Sequence, residues 1–240
     1  MTQSLLRPAI VLGLLSTVGP FAIDMYLPAM PDIAASLSAS ETSVQATVTA
    51  FFVAFGVAQM IYGPWADQAG RKKPLITGLI IFIIASLGCH FAQSVGSLQV
   101  WRFLQGLGAA VVMVVPRAII RDMLTGNQAT RLMALIMLVI SVSPMLAPLA
   151  GSAIIAFASW RGIFLALTIA AVLSLLMTIF LQPETLKPQD RVPVHVGSLL
   201  RGARGLLTDP MFMGLTFIGG FGMASFLVFI ASASFVYSGQ

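Results

Sequence analysis

Gly63-Pro64-Trp65-Ala66-Asp67-Gln68-Ala69-Gly70-Arg71-Lys72-Lys73-Pro74 sets one acid and three bases between two long apolar runs. Clustered Lys and Arg in a short connection keep it on the cytoplasmic side of a membrane, and glycine permits a turn that bulkier residues would make costly. The stretch reads as a cytoplasmic loop between two membrane spans, and it sets the direction of the helices on either side.

The rest of the chain fits that reading. Of 240 residues, 58% are apolar and 9% charged, with a mean hydropathy of +0.96, whereas soluble domains are about a quarter charged. Apolar runs of about 20 residues, enough to cross a hydrocarbon core about 30 Å thick, recur along the sequence. Seven are read: Pro8 to Ala29, Val44 to Trp65, Leu75 to Gln93, Ser97 to Ile120, Leu132 to Phe157, Ile163 to Leu181 and Met211 to Tyr237. They are continuously apolar instead of alternating, which predicts helices and argues against a β-barrel. The first follows Arg7, lacks a small-residue cleavage site and contains Asp24 and prolines, so it reads as a retained helix and not a signal peptide.

The formal charge of +5 reports orientation. Ten of the thirteen bases fall at one set of helix ends: Arg7, Arg71, Lys72, Lys73, Arg121, Arg131, Lys187, Arg191, Arg201 and Arg204. The opposite ends hold only Arg161. Excess positive charge inside predicts a cytoplasmic amino terminus and gives no reason to invoke a nucleic acid. The lone Cys89, in an apolar run, supports neither a disulfide framework nor a metal cluster. His90 and His195 are too far apart to share a site. No nucleophile–base constellation and no phosphate-binding loop appears, so neither an enzyme nor a nucleotide-driven pump is expected, and no metal or cofactor.

Short connections pack sequential helices as antiparallel neighbours, which predicts a six-helix bundle over residues 1–181. Residues 182–210 carry Pro183, Pro188, Pro193 and a basic Gly-containing stretch from Gly197 to Leu207, and read as a cytoplasmic linker with a short surface helix. Residues 211–240 read as a seventh span opening an incomplete second bundle. Pro20, Pro28, Pro116, Pro144 and Pro148 lie inside spans and free carbonyls there, as happens where helices line a pathway.

Three further motifs narrow the reading: Arg102-Phe103-Leu104-Gln105-Gly106-Leu107-Gly108-Ala109, Ser143 with Ala147-Pro148-Leu149-Ala150-Gly151-Ser152, and Asp24-Met25-Tyr26-Leu27-Pro28-Ala29-Met30-Pro31. With Gly63 to Pro74 the first two resemble the signature motifs of the major facilitator superfamily, the second being its antiporter motif with Ala and Ser where glycines are usual. The third, with Trp160-Arg161, resembles the bicyclomycin/chloramphenicol-resistance (Bcr/CflA) drug:proton antiporters. The resemblance covers the whole chain and implies an all-α integral membrane fold: the amino-terminal six-helix bundle of such a transporter plus a seventh transmembrane helix, with five helices of a twelve-helix protein absent. It implies efflux of drugs or other small lipophilic compounds in exchange for protons across the bacterial inner membrane, with drug, proton and lipid as partners.

Asp24 lies about five residues before the outer end of its predicted span, roughly 8 Å inside. Arg102 enters to the same depth from the opposite direction. A charge at that depth costs several kcal/mol unless paired or wet, so both are cavity candidates. In the functional reading a proton and a cationic drug compete for Asp24; the alternatives are a static ion pair or an Asp24 that reaches interfacial water. Tyr26, with Phe21, Met25 and Met30, offers an adaptable apolar wall, and Gln105 belongs to the Arg102 motif. Two readings stand for Arg117: it lines the inner end of the pathway, or it reaches lipid phosphate at the surface. Asp122, about 200° around the helix from Arg102, faces elsewhere and is within reach of Arg71. Asp67 suits a helix start on a partner bundle. Gly63, Asp67, Gly70, Arg71, Lys72 and Asp122 thus form the candidate gate, and Ala147, Pro148 and Gly151 the antiporter motif. Asp32 and Glu41 are read as solvated residues of the first outer loop. A facilitator without proton coupling and a non-transporting fragment remain the alternative functions.

Overall fold

A computed structural model describes residues 3–193 and 196–238, so His195 lies outside the described residues. The described residues are helical apart from turns: α1 Gln3–Asp24, a 3-10 turn Leu27–Ala29, α2 Met30–Ser36, α3 Glu41–Ala69, α4 Lys72–His90, α5 Val95–Ala109, α6 Val111–Met123, α7 Gly126–Phe157, α8 Arg161–Phe180, a 3-10 turn Pro188–Asp190, α9 Val196–Thr208 and α10 Pro210–Ser238. Six segments are long and apolar enough to cross a membrane: Pro8–Ser36, Glu41–Ala69, Lys72–His90, Val95–Met123, Gly126–Phe157 and Arg161–Phe180. A seventh is added if the bent pair Arg201–Thr208 and Pro210–Ser225 is counted as one span. The all-α membrane fold expected from the apolar runs is the fold observed.

The chain forms two compact units, Met1–Arg191 and Val192–Gln240. In the first, α5 lies between α3 and α4, α4 also packs on α8, and α1 packs on α7 and α8. Lipid gives apolar side chains no incentive to leave it, so such helices hold together by close backbone approach through small residues. A Cβ on Gly106 would meet the Phe51 carbonyl of α3, and one on Gly108 would stand 2.5 Å from the Phe82 nitrogen of α4. Both sides of α5 are thus fitted to bare glycine. Faces turned away from the bundle keep large apolar groups uncovered, among them Met60, Met145 and Leu149, as a lipid solvent allows.

Helix starts follow local rules. Ser40 caps α3 by accepting the Ser43 N–H at 3.2 Å, and Ser94 and Ser97 form a reciprocal capping box on α5. Two sequence boundaries shift. The first span does not end at Ala29: after the turn it resumes as α2, so Asp32 sits in a helical first turn instead of a loop. The stretch from Gly63 to Pro74 is mostly helix. α3 runs through Pro64 to Ala69 and α4 begins at Lys72, leaving Gly70 and Arg71 as the whole turn. The polar side chains there end the apolar run without ending the helix, because Ala66 is buried and Asp67 is tied to Arg71 one turn on.

Candidate functional site

The break in the first span organises the site. Pro28 and Pro31 have no N–H to donate, so α1 cannot run straight into α2. The Tyr26 N–H turns to the Ile23 carbonyl, three residues back, at 3.2 Å, and the Ala29 N–H to the Tyr26 carbonyl at 3.1 Å. The Ala22 carbonyl, which a regular helix would pair with Tyr26, is left free. Asp24 is the last residue of α1 and is 9% exposed. Because the span continues to Ser36, Asp24 stands near its middle, deeper than the sequence placed it. Neither of the two ion pairs among the described residues involves it.

Arg102 of α5 closes on this break. Its Nη1 donates to the freed Ala22 carbonyl at 3.0 Å and to Gln105 Oε1 at 2.6 Å. Gln105 passes the contact on, donating from Nε2 to Ser86 Oγ of α4 at 2.8 Å. The guanidinium lies between two rings, 4.4 Å from the centroid of Tyr26 and 4.4 Å from that of Phe51. The Tyr26 hydroxyl is fixed in turn by Thr47 of α3 at 2.6 Å. Arg102, Tyr26 and Gln105 have no exposed surface. Two aromatic faces and two oxygen acceptors offset part of the cost of burying the charge, while Nε and Nη2 of Arg102 find no hydrogen-bond partner among the described residues. The sequence brings Asp24 and Arg102 to one region but cannot disclose that Arg102 binds backbone and rings there instead of the carboxylate. Met25 and Met30 are likewise buried in the bundle and not set around an open wall.

The antiporter motif meets the same break from the other side. Ser143, Ala147 and Gly151 recur every fourth residue and form the buried stripe of α7, Pro148 lying beside it half-buried. A Cβ on Gly151 would collide with the carbonyl oxygen of Met25, the residue after Asp24. The motif's small residues therefore let α7 lie directly on the break.

At the basic end, Arg71 is the hub. It is 7% exposed, its Nε and Nη2 donate to both oxygens of Asp122 at 2.7 and 3.1 Å, and Nη1 donates to Asp67 at 2.5 Å. Forked donation of this kind is geometry only arginine supplies. Asp67 is thus engaged within the bundle. Glu184, which the sequence reading passed over, accepts the backbone N–H groups of Arg71 at 2.8 Å and Lys72 at 3.1 Å, and Thr185 donates to Asp122 at 3.0 Å. Burial pushes the Glu184 carboxyl up, and backbone N–H groups of Arg71, Lys72, Leu186 and Thr185 outweigh it and hold it below the usual carboxylate range. Gly70 is required twice over, since its φ is +91° and a Cβ there would stand 2.5 Å from Glu184 Oε2. Lys72 donates to the Ile179 carbonyl at 2.7 Å, tying α4 to α8. Beside the hub a cavity of about 340 Å³ is lined by Gly63, Asp67, Arg71, Arg117, Arg121 and Asp122. Arg117 is exposed at that cavity and stands apart from the Arg102 cluster.

At the other end His90 and Arg161 bond to backbone carbonyls of neighbouring segments. His90 Nδ1 donates to the Arg161 carbonyl at 2.9 Å. Arg161 donates to the Ala92 carbonyl at 2.7 Å and stacks 4.2 Å from the Trp160 ring.

A helical bundle of membrane spans, with a broken first helix over a buried arginine and a charged hub at one end, defines a polytopic membrane protein of transporter architecture. The chain belongs to the Major Facilitator Superfamily, whose model matches residues 12–240. It is 38% identical to the uncharacterised MFS-type transporter YdgK of Bacillus subtilis, over 95% of this chain and 58% of that protein. It is 32% identical to a bicyclomycin resistance protein homolog of Haemophilus influenzae, over 96% of this chain and 58% of that one. With the multidrug resistance protein MdtL of Klebsiella pneumoniae it shares 35% identity over 75% of this chain and 46% of the relative. The chain thus spans about half the length of the curated relatives it matches. Among solved structures, the human organic anion transporter MFSD10 superposes with a TM-score of 0.66 at 18% identity, covering 80% of this chain and 52% of that one. The proton:xylose symporter XylE superposes with a TM-score of 0.64 at 14% identity, covering 81% and 48%.

Proposed function

We propose that this chain supplies the first six-helix bundle, residues 1–181, of a proton-coupled efflux transporter for drugs or other small lipophilic compounds in a bacterial inner membrane. Residues 182–210 link it to a second bundle that begins with the helix from residue 211. The amino terminus and the Arg71 end face the cytoplasm, on the strength of the basic residues gathered there. The observation that carries the reading is Asp24, a carboxyl near the middle of a span, at a helix break, without a cationic partner among the described residues. Such a group is expensive to keep in a membrane and is retained where it does work.

In this reading Asp24 takes up and releases the coupling proton, and a cationic substrate competes for the same carboxyl. Arg102 holds the break in shape from behind, with Gln105 and Tyr26 fixing its plane. The stripe of Ser143, Ala147 and Gly151 keeps α7 against the break as the two bundles rock. The Arg71 hub with Asp67, Asp122, Gly70 and Lys72 secures the cytoplasmic end while the transporter faces outward, and Arg117 lines the approach to it. The relatives named for bicyclomycin and multidrug resistance support drugs as the substrate class.

The test uses efflux-deficient cells expressing the chain joined to the carboxyl-terminal half of a relative, with membrane levels matched. The unsubstituted protein should confer resistance in cells and, in vesicles, dissipate an imposed proton gradient when drug is added, and Asp24→Asn should insert normally and lose both. Full resistance from the Asp24→Asn protein sinks the coupling role, and pH-independent transport would favour a facilitator.

A further inference from the structure

The second unit pairs a short basic helix with an apolar one, and the angle between them is encoded locally. Asp209 caps α10, its Oδ1 accepting the N–H of Met211 at 2.9 Å and of Phe212 at 3.3 Å. Pro210 opens α10 and disfavours helical geometry at the residue before it. α9 therefore stops, and its last two turns make an angle of 79° with the first half of α10. If α10 stands across a bilayer, α9 lies in the plane of its surface.

α9 is sorted for that position. At about 100° per residue, Leu206, Leu199, Ala203 and Leu207 fall within an arc of about 100°, and Arg204, Thr208 and Arg201 fall on the other side. Leu199 is 42% exposed, Leu206 49% and Leu207 65%, so within its own unit the apolar arc is uncovered among the described residues. Neither is the helix self-sufficient. It has 13 residues, close to the length at which isolated helices are marginal. Gly197, Gly202 and Gly205 each weaken it by about 1 kcal/mol against alanine, and a Cβ on any of the three would meet nothing within 4 Å. No tight contact demands these glycines. An apolar surface is what such a helix lacks, and the right angle to a membrane span says which surface is at hand.

We propose that α9 is an interfacial anchor that binds an anionic lipid surface, sinking Leu199, Ala203, Leu206 and Leu207 to the headgroup boundary while Arg201 and Arg204 reach lipid phosphates. Amphipathic basic helices bind bilayers by this division of labour, each arginine near an anionic surface multiplying the bound-to-free ratio by about five. Arg201 is already turned along its own helix, its Nε donating to the Gly197 carbonyl at 3.3 Å. The inference is independent of what the transporter carries.

The experiment labels the full chain with an environment-sensitive fluorophore on Leu206→Cys, and in a parallel sample on Thr208→Cys, each in a Cys89→Ala background. The protein is reconstituted in vesicles of phosphatidylcholine alone or with about 30% phosphatidylglycerol. In the anionic vesicles the label at 206 should be quenched by nitroxide-bearing lipid and protected from iodide, and the label at 208 the reverse. Pure phosphatidylcholine, or Arg201→Gln with Arg204→Gln, should lower the lipid quenching at 206, by roughly fivefold per arginine in the docked-to-undocked ratio. A label at 206 that iodide reaches freely, that both quenchers miss, or that lipid nitroxide reaches equally in the two lipid compositions overturns the proposal.

Discussion

Arg102 donates a hydrogen bond to the carbonyl of Ala22, 80 positions earlier in the chain, at 3.0 Å. That carbonyl is free because Tyr26 pairs with Ile23. The buried arginine is therefore a splint for the broken helix, and it is held there by stacking as much as by hydrogen bonds.

Splint and stack should be energetically coupled. Arg102→Lys keeps the charge and loses the flat face between Tyr26 and Phe51, which should lower stability by about 1–3 kcal/mol. In a double-mutant cycle with Tyr26→Leu, read by thermal unfolding in detergent, the two losses should overlap by about 1 kcal/mol. Strict additivity would mean that the ring contributes nothing to the arginine's seat.

Glycine replacements should have opposite signs according to what surrounds them. Gly151→Ala forces the Met25 backbone to move and should cost about 1–3 kcal/mol. Gly56→Ala, in α3 with nothing within 4 Å of the new Cβ, should instead stabilise by up to about 1 kcal/mol. Midpoints of helicity loss in denaturing detergent distinguish the two; a neutral Gly151→Ala would remove the close approach of α7 as a constraint.

Glu184 predicts an acid limb in stability. Its folded-state carboxyl is lowered from the ordinary value of 4.5, so its stabilisation is complete above that value and is lost as pH falls through the lowered one. Thermal midpoints taken from about pH 6 down to about pH 3 should fall less steeply in Glu184→Gln than in the parent. Because the group anchors the Arg71 turn, Glu184→Gln should also loosen the hub at neutral pH, seen as faster hydrogen exchange at the Arg71 and Lys72 amides. Unchanged exchange there would reduce Glu184 to a surface residue.

The spans were legible because a membrane demands long apolar runs, and α3 to α8 all fall where those runs do. The hub was half legible: Asp67, Arg71 and Asp122 stand in a recognisable motif, but Glu184 reaches backbone amides more than a hundred positions away and leaves no periodic trace. The first span was cut short at Ala29 because Pro31 and Asp32 resemble a loop, and only the resumption of helix after the turn brings Asp24 to mid-span. The acceptor of Arg102 was out of reach for a similar reason. A carbonyl released by a local change from four-residue to three-residue pairing has no signature of its own in the side chains.

The seat of Arg102 also has a meaning in terms of field. Its guanidinium is buried beside neutral rings, a neutral amide and a backbone carbonyl, and no acid among the described residues pairs with it. Its charge is therefore not cancelled by an ion pair, and two ring faces and two oriented oxygen dipoles are what offset its burial. A charge seated on neutral groups alone depends on all of them at once, so the rings, the amide and the carbonyl act as one unit that joins α1, α3 and α5.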